Sequence, residues 1–125
     1  MTRRLLLVDD DDGVRLVART ALERVGGWAV TAVSSGEEAL GQAATDPPDA
    51  ILLDVMMPGL DGPATLAELR TNPLTAHIPV IFLTAKARTT HHARLLELGA
   101  SGVLVKPFDP MQLSNEVAAV LGFGP

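Results

Sequence analysis

Cysteine is absent from these 125 residues, so disulfide frameworks, thiolate metal sites and cysteine nucleophiles are excluded. Aromatic residues are scarce at 3%, while 47% of the chain is hydrophobic, so the core has to be built from Leu, Val, Ile and Ala. Basic residues are in deficit, 10 against 15 acidic ones, for a net charge of −5. Binding nucleic acid through its phosphates needs a basic face that displaces counterions, and this balance argues against it. Long hydrophobic runs are also missing: Leu5 to Val8 and Ala50 to Leu53 fall far below a membrane span. The start, Met1-Thr2-Arg3-Arg4, leads into a strand-like run with no cleavage site, so no signal peptide is expected. These exclusions leave an acidic, cytoplasmic single domain over 1–125, with neither membrane nor nucleic acid as partner. A chain this long buries roughly two-thirds of its unfolded surface and needs no covalent staple.

What is present is an alternation of short apolar runs and longer helical stretches. Leu5-Leu6-Leu7-Val8 is solidly apolar, as expected of a strand buried on both faces. Val14, Val17, Ala18, Ala21, Leu22 and Val25 follow at helical spacing and stop at Gly26-Gly27. Trp28 to Val33 reads as a second strand, and Ser35 before Gly36-Glu37-Glu38 as a capped helix start. Ala50 to Leu53 runs into Asp54 as a third strand, and Asp61-Gly62-Pro63 opens a helix with proline in its first turn. Pro79 to Leu83 makes a fourth strand, Ala87 to Leu98 a fourth helix and Gly102 to Val105 a fifth strand. Asp109-Pro110-Met111-Gln112 resembles a capping box for a last helix bearing Leu113, Val117, Val120 and Leu121. Solid apolar strands joined by helices predict an α/β domain, an open doubly wound parallel sheet covered on both faces.

The notable polar residues fall at strand ends. Asp9 and Asp10 end the first strand, Asp54 the third, Thr84 the fourth, and Lys106 follows the fifth. In an open parallel sheet the carboxyl ends of the strands form the ligand crevice, deepest where the strand order reverses. If the first and third strands are neighbours, Asp10 and Asp54 face each other there. Each residue alone has an ordinary reading as a cap or loop residue; their joint placement is what points to chemistry. Converging carboxylates repel, and a hard divalent cation with few protein ligands, Mg²⁺, relieves that conflict. Lys106 adds a second positive charge and Thr84 a hydroxyl. Such a crevice suits a phosphoryl group, which Asp54 would attack in line to give an aspartyl phosphate. Asp11 and Asp12 are expected as charges at a helix start rather than as ligands, and Asp61 as a helix cap.

Several runs together resemble the response-regulator receiver family of two-component signalling: Val8-Asp9-Asp10 with Val14-Arg15, Leu53 through Gly62, Phe82-Leu83-Thr84-Ala85, and Gly99-Ala100-Ser101-Gly102 with Lys106-Pro107-Phe108. The resemblance covers essentially the whole chain. It implies a flavodoxin-like sheet of order 2-1-3-4-5 with helices on both sides. It implies that Asp54 accepts phosphate from a phosphohistidine donor, either a sensor histidine kinase or a histidine phosphotransfer protein. Mg²⁺, with Mn²⁺ as a substitute, would be held by Asp10, Asp54 and the main-chain carbonyl of Met56, with Asp9 acting through a water. Lys106 would pair with the phosphoryl oxygens. Thr84 would bond one of them and move when it arrives, switching the surface of the fourth helix, fifth strand and fifth helix toward a downstream protein target. The family implies a cis bond before Pro107, and a signalling protein rather than an enzyme, catalysing only its own phosphotransfer and dephosphorylation. A stand-alone receiver is expected.

The pattern also departs from the family. Val103 stands where these proteins usually carry Tyr or Phe, and valine cannot sweep the volume of a turning ring. A smaller or differently routed switch is expected. Met56 and Lys86 occupy positions that tune hydrolysis of the phosphoryl group. Methionine activates no water and Lys86 can lie over the phosphoryl oxygens, so fast self-dephosphorylation is not expected. His91 and His92 point in different directions on a helix and cannot share one ligand; they are expected on a surface read by partners. Leu16, off the apolar stripe, joins Pro107 and Phe108 as candidate contacts for the donor. Met111 is similarly off-stripe, and ordinary exposure accounts equally well for both. Three other classes compete. An aspartate-nucleophile phosphatase needs a second acid where Met56 stands, and a cap over its substrate. A nucleotide-binding flavodoxin-like domain wants glycine where Asp9 to Asp12 lie. A receiver-like interaction module that is never phosphorylated loses the acceptor, the acidic pair or the lysine, all of which are kept.

Overall fold

The computed structural model describes residues 2–123. Strands and helices alternate: β1 Arg4–Val8, α1 Asp12–Arg24, β2 Ala29–Val33, α2 Gly36–Thr45, β3 Ala50–Asp54, α3 Gly62–Thr71, β4 Val80–Thr84, α4 Thr89–Glu97, β5 Gly102–Val105 and α5 Leu113–Leu121. The five strands form one parallel sheet of order β2-β1-β3-β4-β5, the doubly wound architecture that the apolar pattern predicts. The order reverses between β1 and β3, whose register runs from Leu5 opposite Ala50 to Val8 opposite Leu53.

The three central strands carry almost no polar side chain because both of their faces are covered. Successive side chains alternate between the faces. Leu6, Val8, Ile51, Leu53 and Phe82 meet Ala39 and Ala43 of α2, Leu66 and Leu69 of α3, and Leu95 of α4. On the opposite face Leu5, Leu7, Leu52, Ile81 and Leu83 meet Ala18 and Leu22 of α1, and Leu113 and Val117 of α5.

Three helix starts are capped as their sequences suggest. Asp11 accepts the Val14 N–H at 2.9 Å, Ser35 the Glu38 N–H at 3.1 Å, and Asp61 the Ala64 N–H at 2.9 Å. Each oxygen supplies an acceptor for an N–H that the helix itself cannot satisfy. Asp12 pairs with Arg15.

Elsewhere the boundaries differ from expectation. β4 extends to Thr84, which makes this residue part of the sheet. α4 starts at Thr89 rather than Ala87, because the Thr84 hydroxyl takes the Lys86 N–H at 3.1 Å and holds the intervening residues as a loop. Asp109 does not cap the last helix. Its carboxylate accepts the Met111 N–H at 2.9 Å and closes a turn, and α5 begins only at Leu113. Val17 in α1 is 45% exposed and Val25, just past its end, 43%, so Ala18, Ala21 and Leu22 carry the burial. Among the described residues, no helix is long and apolar enough to cross a membrane.

Candidate functional site

Parallel strands end on one edge of the sheet, so residues at their carboxyl ends converge whatever their distance in sequence. Asp9 follows β1, Asp54 and Thr84 close β3 and β4, and Lys106 follows β5. Asp9 is fully buried, Asp54 nearly so, and Asp10 is exposed at the rim. Carboxylate oxygens of these three aspartates lie within 4.8 Å of one another. The Lys106 Nζ reaches in to 2.8 Å from Asp9 Oδ2 and 3.2 Å from Asp54 Oδ1. Main-chain donors assist: Asp11 N–H donates to Asp9 Oδ1 at 2.9 Å, and Met56 N–H to Asp54 Oδ1 at 3.3 Å. The bond between Lys106 and Pro107 is cis, as expected.

The balance of charge is incomplete. Burial, and then the neighbouring charge of Asp9, push the Asp54 carboxyl up to about 6, although Lys106 and the Met56 N–H pull the other way. Burial works against the Lys106 ammonium, but its pairing with Asp9 and Asp54 outweighs this and holds it above its usual value. Asp9 Oδ2, beside that ammonium, receives no well-aligned hydrogen bond. A buried, under-compensated carboxylate, a second nearly buried one and a third at the solvent edge form an all-oxygen donor set. It fits a small hard cation that keeps part of its water shell.

Two residues inside the family-like runs, Arg15 and Gly62, have roles that the sequence did not assign. Arg15 Nη1 donates to the main-chain carbonyl of Asp9 at 2.8 Å, fixing the turn that aims this carboxylate. No spacing rule reveals a bond to a carbonyl. Gly62 is the other. A Cβ there would lie 2.5 Å from the Asp54 carbonyl oxygen and 2.8 Å from Val55 Cα. Gly62→Ala is therefore expected to lower stability by about 2–3 kcal/mol, because backbone rather than a side-chain tip must yield; urea unfolding of the variant measures this.

The two histidines, expected on a surface read by partners, are partly exposed and also make local contacts. Both half-buried rings turn back onto the loop before α4. His91 Nε2 lies 3.2 Å from Thr84 Oγ1, and His92 Nε2 lies 2.8 Å from the Lys86 carbonyl oxygen. They do engage different groups, as their adjacent helical positions require. Lys86 is exposed, and Val103 is half-buried against the face that carries Phe82. Met56, Met111 and Leu16 are exposed at 67%, 63% and 67%. Beside Lys106, Pro107 and Phe108 line an apolar groove of about 560 Å³ together with Val14 and Val17. Leu16 does not line it, because the face of α1 turned toward Pro107 carries Val14 and Val17.

The chain is similar to known proteins. The response regulator receiver domain family matches residues 5–118. The alkaline phosphatase synthesis transcriptional regulatory protein PhoP of Bacillus subtilis is 41% identical over 121 residues, covering 97% of this chain and 49% of that protein. The response regulator PleD of Caulobacter vibrioides is 42% identical over 125 residues, covering 98% of this chain and 27% of that protein. The chain thus spans about half the length of these curated relatives, or less. Among solved structures, the chemotaxis response regulator CheY4 of Vibrio cholerae is similar with a TM-score of 0.89 and 29% identity, over 96% of this chain and 99% of that one. The receiver domain of a sensor histidine kinase from Pseudomonas aeruginosa, with a magnesium ion coordinated in its active site cleft, is similar with a TM-score of 0.86 and 31% identity, over 98% and 99% of the two chains.

Proposed function

Because the chain belongs to the response regulator receiver domain family of two-component signalling, we propose that Asp54 is its phosphoacceptor. The observation that carries this reading is the Lys106 ammonium held between Asp9 and Asp54, with Asp10 at the rim. One cation there orients the acceptor carboxylate without quenching it. The donor is a phosphohistidine on a sensor histidine kinase or a phosphotransfer protein. An Asp54 oxygen attacks phosphorus, the bond to the imidazole nitrogen breaks, and an acyl phosphate forms. Asp9, Asp10, Asp54 and the Met56 carbonyl are the groups that would hold Mg²⁺, which when bound supplies neutralising charge for the phosphoryl oxygens. Lys106 would meet one of those oxygens, and the Thr84 hydroxyl would donate to another. The groove of Val14, Val17, Pro107 and Phe108, beside the lysine, is the docking site for the donor. The protein acts as a cytoplasmic signalling switch, not as an enzyme turning over a free substrate. With Met56 and Lys86 at the site mouth, its phosphoryl group is lost slowly.

Intact mass after incubation with Mg²⁺ and acetyl phosphate tests this. One added phosphoryl group is expected, absent when the metal is chelated and absent in Asp54→Asn. Absence of an adduct, together with failure to bind beryllium fluoride as a phosphoryl analogue, would favour an interaction module that is never phosphorylated.

A further inference from the structure

We infer that His91 is a positioning residue for Thr84, its imidazole taking the same hydroxyl proton that a phosphoryl group on Asp54 needs. The inference rests on the phosphoacceptor reading of Asp54 and adds how this chain couples the site to α4.

A threonine hydroxyl has one proton to donate. Thr84 Oγ1 already accepts the Lys86 N–H at 3.1 Å, and the residue is only 1% exposed, so solvent offers its proton little. A buried O–H without an acceptor is costly. Among the described residues, His91 Nε2 at 3.2 Å is the acceptor in reach. The ring has to be neutral for this role. Partial burial and the nearby Lys86, His92 and Arg94 side chains hold His91 below its ordinary value, which favours the neutral ring that this role needs. The assigned bond is therefore Thr84 O–H to His91 Nε2, with the ring proton on Nδ1.

The bond has a mechanical partner. Arg88, at the head of α4, makes no side-chain capping bond, so the first turn of α4 is tied down by its two histidines instead. When a phosphoryl oxygen takes the Thr84 proton, His91 loses its donor and the helix start loses one of its two ties. The route runs from β4 directly to α4 and asks nothing of Val103. Because coupling is reciprocal, anything that draws His91 away from Thr84 also favours the phosphorylated state.

The test begins with the free protein. Nitrogen-15 NMR of the histidine rings should show His91 protonated on Nδ1 and bare on Nε2; a proton on Nε2 would overturn the inference at once. Beryllium fluoride titration, with Mg²⁺ present, is then compared across variants. His91→Ala should bind the analogue about three- to tenfold more tightly, since a competing hydrogen bond of ordinary strength is gone. His91→Gln, whose amide oxygen can accept the same proton, should return toward wild type. In a Thr84→Ala background the His91→Ala gain should vanish. Equal effects of alanine and glutamine, or a gain that persists without Thr84, would overturn the competition. Wild-type protein that takes up no analogue would instead overturn the phosphoacceptor reading, a separate result because the ring tautomer is read without any ligand.

Discussion

Asp54→Asn is expected to abolish phosphoryl uptake and yet to melt at a higher temperature than the wild type at neutral pH. The amide keeps the size of the carboxyl but removes one of three converging charges. In the folded protein the Asp54 carboxyl sits at about 6, above its ordinary 3.8, so the folded state holds this proton more tightly than the unfolded one. Such a group favours folding most at low pH, and its contribution falls as pH rises from about 4 to 6. Above that window the ionised carboxylate costs about 1–2 kcal/mol, solvent screening included. Asparagine never ionises. The variant should therefore gain little at pH 4 and about 3–8 °C at pH 7.5, measured by thermal melting with metal chelated. Equal melting temperatures at pH 7.5 would show that the site is not under charge strain.

The opposite sign is expected for Lys106→Met, which keeps the bulk of the side chain and removes its charge. Asp9 and Asp54 then face each other with no internal cation. The Asp54 carboxyl should move above about 6, and a buried carboxylate left without its partner costs about 3 kcal/mol or more. Phosphorylation by acetyl phosphate should slow by about 10²–10³-fold, the usual loss when a charged group that stabilises a transition state is removed. The two substitutions should also couple. Asp54→Asn should stabilise the Lys106→Met protein more than it stabilises the wild type, because the repulsion it relieves is larger there. Simple additivity in melting experiments would mean that Lys106 does not screen this pair.

Much of this arrangement is legible in the sequence for a specific reason. A strand covered on both faces has to be apolar throughout, so β1, β3 and β4 announce themselves, and the polar residues that end them mark the sheet edge. Asp54, Thr84 and Lys106 could be grouped before any coordinates, because parallel strands share that edge. The bond between Thr84 and His91 could not. Its detection depends on where α4 begins, and a two-residue error in a helix start is about 200° of rotation. With the start at Thr89, His91 falls in the first turn, whose side chains lean back toward the preceding loop. Which face of α1 borders the groove was not legible for a related reason. A stripe drawn through Val14, Val17 and Ala18 does not say which members meet the sheet and which border the groove at Pro107. Arg15 stands in one of the family-like runs, but its role stayed unread because its partner is a main-chain carbonyl, which leaves no trace in side-chain patterning.

The place of Lys106, after the last strand, bears on the order in which a ribosome delivers the parts. β1 emerges first and takes an interior place in the sheet, and β3 later brings Asp54 beside Asp9. The ammonium that balances both arrives only when β5 has been made. A nascent chain halted before that strand faces the cost of burying two like charges without relief, and this penalty favours leaving the sheet open. The lysine that would serve the phosphoryl group thus also rewards completion, making docking of the final strand the step that closes the electrostatic account of the fold.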